Sequence, residues 1–344
     1  MLNGNAPEKF TACGDHEAEI LLKKVLLEIK ETLSGTELCV VLGGSYGRGD
    51  GGVRQDRENG LLYNDLDFFV FARKKTEHAE SLLKEIAEKY EKSLKVDVDF
   101  SRIMTVADIC NNSGRLMMQE LKRGYCLVCG EDLLAEYLPE LPAEQLPFSE
   151  ACRLLLNRGM GLYLAGEKIA NQSLETDFIL RNLYKAILGT ADAMLIASGK
   201  YRWKIEERLA FMEKSDMPDD WKKLYREAVE FKHSPHRQTK ADMISFWQQV
   251  RDFYRMGMLR TAGVQDCAAL KHGLSAACIA GREISLKNLI KFCIKTRSIP
   301  LREPGISMIP AVAVLLPELY SALEEMPKKI DIKSKLYRRW LIFN

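Results

Sequence analysis

The chain has 344 residues, which at about 150 residues per domain corresponds to about two domains. Its 50 Lys and Arg nearly balance its 48 Asp and Glu, which argues against a general nucleic-acid or membrane coat. A hydrophobic fraction of 47% excludes a disordered chain, and the longest apolar run, 306–316, is too short to span a bilayer. Because residues 1–10 show no signal-peptide pattern, we expect a cytoplasmic protein whose nine cysteines are reduced.

The first third of the chain alternates between helix-like and strand-like patterns. Apolar residues recur at helical spacing over 22–33, and the short apolar run Leu38–Leu42 ends abruptly in glycine. A second strand is predicted over 65–71 and a third over 96–100, with an amphipathic helix over 79–90 between them. A strand, a crossover helix and a strand in this order predict an α/β layer around a small, mostly buried sheet.

The sequence pattern changes after Leu138. Three prolines follow within 139–147, which is typical of a connection between domains. Beyond it, apolar stripes recur at helical spacing, and no segment alternates as a strand would. We therefore predict an α+β/α two-domain fold: a sheet with flanking helices in 1–138, a linker in 139–148, and an all-helical domain in 149–344.

Four aspartates lie on the second and third predicted strands. Because side chains two apart on a strand point to the same face, Asp65 and Asp67 project together, and Asp97 and Asp99 do the same. Carboxylates that face each other on neighbouring strands repel unless cations lie between them. Their hard oxygen atoms suit Mg²⁺ or Mn²⁺, and two such ions about 3.5–4 Å apart can clamp the attacking and leaving oxygens of a phosphoryl transfer.

The turn Gly43-Gly44-Ser45 follows the first predicted strand. A glycine turn can expose backbone N–H groups and let a phosphate approach closely. A helix that begins at Ser45 would add a favourable field for a triphosphate. The hydroxyl of Ser45, and Arg48 one turn later, could contact phosphate oxygens.

Three motifs occur in order: Gly-Gly-Ser at 43–45, Asp-hydrophobic-Asp-hydrophobic at 65–68, and hydrophobic-Asp-hydrophobic at 96–98. Together they resemble the DNA polymerase β-type nucleotidyltransferase superfamily, over residues 36–101. The octet Gly43–Asp50 is also similar to the turn of the bacterial adenylyl- and uridylyltransferases that modify nitrogen-regulation proteins. The resemblance implies a small mixed nucleotidyltransferase sheet and transfer of a nucleoside monophosphate from an NTP to an acceptor hydroxyl, with release of pyrophosphate. Adenylyl transfer is the favoured form.

The same resemblance implies a role for each carboxylate. Asp65 and Asp67 would hold both metal ions, while a third carboxylate would bind the catalytic ion and help to deprotonate the acceptor. We favour Asp97 for this third role, because the family pattern places the acid between two apolar residues. Asp99 shares the face of Asp97 and is the substitute.

A looser resemblance extends into the helical region. Segments 181–185 and 198–204 are similar to the helix-plus-lysine segment of aminoglycoside nucleotidyltransferases, in which a helical domain closes over the nucleotide. This resemblance implies that Lys204, and after it Lys185, contact the phosphates, with the acceptor in a cleft between the two domains. A small-molecule acceptor is favoured over a protein or RNA, and neither the acceptor, the base nor the oligomeric state has a signature in the sequence.

Other interpretations stay open. The basic segment 328–339 would suit a regulatory or toxin-type enzyme that modifies a protein or RNA, and the fold could also bind nucleotide after losing catalysis. Ser45 and Asp65 are 20 positions apart, longer than the usual family linker, so 51–60 is expected to form a mobile loop over the site. The CxxC pair at 126–129 belongs to an apolar run, 125–129, that ends in Gly130 and predicts a strand, and the lack of a second CxxC argues against a metal site there.

Overall fold

The structure, a computed structural model, describes residues 7–55, 60–74, 79–236, 242–280, 311–324 and 335–341. It is a mixed α/β protein with a small mixed sheet and several helices. The chain divides into two compact units, residues 1–142 with 230–236, and residues 143–229 with 237–344. Among the described helices, none is both long enough and apolar enough to cross a membrane. The predicted domain limits at 138 and 149 stay a prediction.

The described strands form one sheet: β1 (Leu38–Leu42), β2 (Leu66–Ala72), β3 (Val98–Phe100), β4 (Met104–Thr105) and β5 (Cys126–Cys129). Strand β1 lies between β2 and β5 and runs antiparallel to both, whereas β3 and β4 run parallel to β2. The first predicted strand is confirmed residue for residue. The second begins one residue later than predicted and the third two residues later, at Val98, because the residues before Val98 lie outside the regular strand ladder.

Six helices accompany the sheet in the first unit: α1 (His16–Thr32), α2 (Gly44–Gly47), α3 (Glu80–Leu94), α4 (Val106–Asn111), α5 (Leu116–Arg123) and α6 (Leu133–Tyr137). Helix α1 begins where the Asp15 side chain accepts a hydrogen bond from the backbone N–H of Ala18, which satisfies a free N–H at the helix start. Helix α3 is the crossover between the parallel strands β2 and β3, as predicted.

Strand β2 separates two layers of packing in the first unit. Leu66, Phe68 and Val70 pack with the buried faces of α1 and α3 in one apolar cluster. On the other face, Phe71 belongs to a second cluster with residues of α4, α5 and α6, and Phe69 packs against it. Asp67 alternates with these apolar residues and lies on the same face as Phe69.

The described residues from 143 onward contain helices and no strand, as the sequence predicts. After a short 3-10 helix at Ala143–Gln145 they form α7 (Phe148–Ala170), α8 (Thr176–Ala197), α9 (Ile205–Glu213), α10 (Asp219–His233), α11 (Met243–Ala262), α12 (Cys267–Ala280) and two further helices, Ala311–Glu324 and Lys335–Trp340. Helices α7, α8 and α11 pack together, and the buried Trp247 and Tyr254 of α11 donate hydrogen bonds to backbone oxygens of α7 at 3.0 and 2.7 Å.

Candidate active site

The parallel pairing of β2 and β3 brings the predicted carboxylates to one face of the sheet. Leu66 lies opposite Val98 and Phe68 opposite Phe100, and the two phenyl rings stack at 4.7 Å on the core side. Asp67 therefore lies directly opposite Asp99 on the other side of the same strands.

Asp65 and Asp97 precede the two strands side by side. The backbone N–H of Leu66 donates to the oxygen of Asp97 at 2.9 Å, which fixes the two chain segments together just before the paired strands begin. By strand alternation, all four aspartates are placed along one edge of the same face.

The pKa of Asp99 reflects its closeness to Asp65 and Asp97. Partial desolvation, followed by the negative charges of Asp65 and Asp97, raises the pKa of Asp99 above its usual range. Like charges directly across a strand pair repel each other, and a cation beside Asp67 and Asp99 would offset this repulsion.

The glycine turn packs directly on Asp67. The N–H of Gly43 donates to the backbone oxygen of Asp67 at 2.8 Å. Gly44 adopts φ +61°, and a Cβ on it would lie 2.2 Å from Oδ2 of Asp67, so the carboxylate occupies the space that any other side chain would fill. The turn and the acidic strand, 20 or more positions apart in sequence, are thus in contact.

The helix after the turn differs from the expectation. Helix α2 begins at Gly44 rather than at Ser45, and at four residues it is too short to add a substantial dipole field. Ser45 is half-buried, and its backbone oxygen accepts from the N–H of Asp50 at 3.0 Å, which closes the loop. The contribution of this turn to phosphate binding would come from the close approach of a phosphate to its backbone and from the Ser45 hydroxyl.

Arg48 is held by acidic side chains. Its guanidinium lies 3.8 Å from Asp50 and 3.7 Å from Glu120. Its stem packs against Gly124, where an added Cβ would lie 2.4 Å from Cγ of Arg48. These contacts favour a structural role for Arg48, and its predicted phosphate contact remains a prediction.

The predicted loop over the site is fixed at both described ends. The buried Tyr46 hydroxyl donates to the oxygen of Gly52 at 2.8 Å and accepts from the N–H groups of Tyr63 and Asn64. Val53 pairs with Leu62 in an isolated antiparallel bridge. These contacts fix where the segment leaves and rejoins the fold, residues 56–59 lie outside the described part, and the expected mobility of 51–60 stays a prediction.

One element of the region has no signal in the sequence. Residues 230–236, at the end of α10 and beyond, group with the first unit. Lys232 forms an ion pair with Asp50, and Phe231 packs edge-on against Tyr63 at 5.9 Å. No local sequence pattern predicts these contacts, because Lys232 and Asp50 are 182 positions apart.

The two predicted phosphate-binding lysines lie in the second unit. Lys185 is half-buried on α8, while Lys204 is exposed and immediately precedes α9. The segment before Lys204 is held by the buried Arg208, which donates to the hydroxyl of Tyr201 and pairs with Asp192 at 2.9 Å. The roles of both lysines stay predictions.

The CxxC pair lies in a strand, as predicted. Cys126 and Cys129 are buried in β5, and burial raises the pKa of both thiols, that of Cys126 to about 11. The eight described cysteines are all free. A buried thiol that resists ionisation is a poor metal ligand and a poor nucleophile, so these two residues contribute to core packing.

The carboxylate face fits a hard divalent cation by its chemistry. As they stand, no three His, Cys, Asp or Glu side chains in the part of the chain that the structure describes converge closely enough to hold a metal. The donors are nevertheless of the right kind, because Mg²⁺ and Mn²⁺ prefer carboxylate oxygens and retain waters. The like-charged pair Asp67 and Asp99, beside a glycine that leaves room for the Asp67 carboxylate, is the arrangement that a cation would relieve.

A scan against models of protein families and a search of curated proteins found no match to this chain.

Proposed function

We propose that the protein is a nucleotidyltransferase that transfers a nucleoside monophosphate, with adenylyl favoured, from an NTP to an acceptor hydroxyl and releases pyrophosphate. One observation carries this proposal: Asp67 faces Asp99 across parallel strands and also packs on Gly44 of the turn. A glycine turn and a carboxylate face therefore meet at one place, which supports phosphoryl transfer through a metal-bound triphosphate.

Asp65, Asp67 and a third carboxylate would hold two Mg²⁺ or Mn²⁺ ions. When bound, these ions neutralise the triphosphate and stabilise the charge that develops on the attacking and leaving oxygens. Neither ion needs a dedicated cage of protein ligands, because Mg²⁺ keeps several waters and shares substrate phosphates. The open, solvent-facing position of Asp99 suits this requirement.

The geometry favours Asp99 over Asp97 as the third carboxylate. Asp99 is the residue in register with Asp67, whereas Asp97 precedes the strand and its backbone oxygen is tied to Leu66. In this position Asp99 would accept the proton of the acceptor hydroxyl. The turn would meanwhile orient the triphosphate through its backbone N–H groups and the hydroxyl of Ser45.

The experiment follows the label from the substrate. The full chain is incubated with Mg²⁺, each of four α-labelled NTPs and fractionated lysate, and the label and the pyrophosphate are measured. We expect label on a small molecule, with ATP the best donor. Label on a protein or RNA would support the same chemistry on another acceptor. Mg²⁺-dependent ATP binding without pyrophosphate release from any fraction would contradict catalysis.

Matched variants test the carboxylates. Asp67→Asn is expected to abolish transfer and to leave thermal stability equal or higher, because it removes a like-charge repulsion. Asp99→Asn is expected to abolish transfer, while Asp97→Asn retains a measurable fraction. Asp220→Asn, an exposed aspartate on α10, is the control and keeps full activity. Full turnover in both Asp67→Asn and Asp99→Asn would refute the proposal.

A further inference from the structure

A segment from far along the chain holds the loop that follows the glycine turn. This segment, Glu230–His236, groups with the first unit. Phe231 packs on Tyr63, Ser234 accepts a hydrogen bond from Gln55 at 3.0 Å, and an added Cβ on Gly52 would lie 3.0 Å from Pro235.

At the centre of these contacts is the ion pair between Lys232 and Asp50. Their side chains retain only 17% and 24% of their exposure, so the pair is largely shielded from solvent. Asp50 ends the octet that begins at Gly43, and its N–H donates to the oxygen of Ser45. The position of Asp50 therefore bears directly on the turn.

The charge balance at Asp50 depends on few groups. Burial alone would raise the pKa of this carboxyl, but Arg48 and Lys232 outweigh burial and hold the pKa below its usual range, with a smaller contribution from His233. Arg48 is 3.8 Å away and is shared with Glu120. Loss of the Lys232 ammonium group would leave the shielded carboxylate of Asp50 without its nearest cation. Arg48, which Glu120 also attracts, would then have to compensate the charge of Asp50.

We propose that Lys232 is a positioning residue for nucleotide binding: its ion pair with Asp50 holds the Gly44–Ser45 turn in the conformation that receives the triphosphate. This inference rests on the proposed function. Lys232 contacts neither substrate nor metal in this scheme and acts through Asp50 and the backbone bond of Asp50 to Ser45.

The test measures Mg²⁺-dependent ATP binding to the full chain by calorimetry. Lys232→Met is expected to weaken binding about tenfold, the size of effect that positioning contacts transmit. Lys232→Arg, which keeps the positive charge beside Asp50, is expected to restore binding to within about twofold of the wild type. Lys223→Met, the same change at an exposed lysine on the same helix, is the control and leaves binding unchanged.

Thermal unfolding provides a second readout. In Lys232→Met the carboxylate of Asp50 is buried with less compensation, so the pKa of Asp50 in the folded state rises. The melting temperature of Lys232→Met should lie furthest below that of the wild type near pH 7. The difference should become smaller toward pH 4, because Asp50 becomes protonated. His233 also faces Asp50, and its positive charge favours the ionised form of that carboxyl.

The double variant Asp50→Asn, Lys232→Met separates positioning from stability. It removes both charges and should recover most of the melting temperature, yet ATP binding should stay weak because the turn is no longer held. Wild-type ATP binding in Lys232→Met or in the double variant overturns the inference, even if stability falls. If the wild-type chain itself binds no NTP with Mg²⁺, the proposed function fails and this inference fails with it.

Discussion

Replacement of Gly44 by alanine tests whether the turn and the acidic strand form one site. At φ +61° a non-glycine residue costs about 1–2 kcal/mol of backbone strain. The new Cβ would also lie 2.2 Å from Oδ2 of Asp67, 3.1 Å from its Cγ and 3.3 Å from its Cβ, whereas ordinary contact begins at 3.4 Å. The backbone fixes both the new Cβ and the Cβ of Asp67. The contact can therefore be relieved only if the Asp67 carboxylate moves by about 1 Å.

The control for this variant is Gly199→Ala. Gly199 has φ +64° and nothing within 4 Å of an added Cβ, so it reports backbone strain alone. We expect both variants to lose about 1–2 kcal/mol of unfolding free energy in urea, with a further 1–3 kcal/mol for Gly44→Ala. A carboxylate displaced by about 1 Å should slow nucleotidyl transfer on the order of a hundredfold.

The two variants therefore differ in both assays. Equal stability losses together with unchanged transfer in Gly44→Ala would show that the contact with Asp67 does not shape a site.

Two further predictions concern buried groups. Arg208→Met leaves the carboxylate of Asp192 buried without its ion pair, so we expect a loss of about 3–5 kcal/mol in urea denaturation followed by circular dichroism. A loss below about 1 kcal/mol would contradict the burial of this pair. Because burial raises the pKa of Cys126 to about 11, its thiol should react with a disulfide reagent at pH 8 far more slowly than the exposed Cys13. Equal rates in the folded protein would indicate that β5 opens readily.

Local patterns predict the strands and the crossover well. The run Leu38–Leu42 is apolar on both sides and bounded by glycine, so its limits are visible in the sequence and agree with β1. The alternation of Asp65 and Asp67 with apolar residues predicts the face that they share, because strand geometry fixes this relation whatever the rest of the fold does. The ladder ends, in contrast, depend on a partner strand, and β3 begins two residues later than its composition predicts.

The contacts around the turn could not be predicted in the same way. The choice between Asp97 and Asp99 depends on the register of β2 against β3, which strand period alone leaves open. The ion pairs of Arg48 with Asp50 and Glu120 and the return of Lys232 to Asp50 are tertiary contacts between charged residues that resemble ordinary solvated residues in the sequence. Their recognition requires three-dimensional proximity rather than spacing.

The hydroxyl of Tyr46 joins both ends of the segment between the turn and β2, at Gly52 on one side and at Tyr63 and Asn64 on the other. The chain therefore leaves the Tyr46 hydroxyl at Gly52 and comes back to it at Tyr63 and Asn64, just before Asp65. Each doubling of the length of the segment between Gly52 and Tyr63 would cost only about 0.6 kcal/mol of closure entropy. Because Tyr46 holds both ends, a change in the number of residues between Gly52 and Tyr63 is expected to leave the position of Asp65 unchanged.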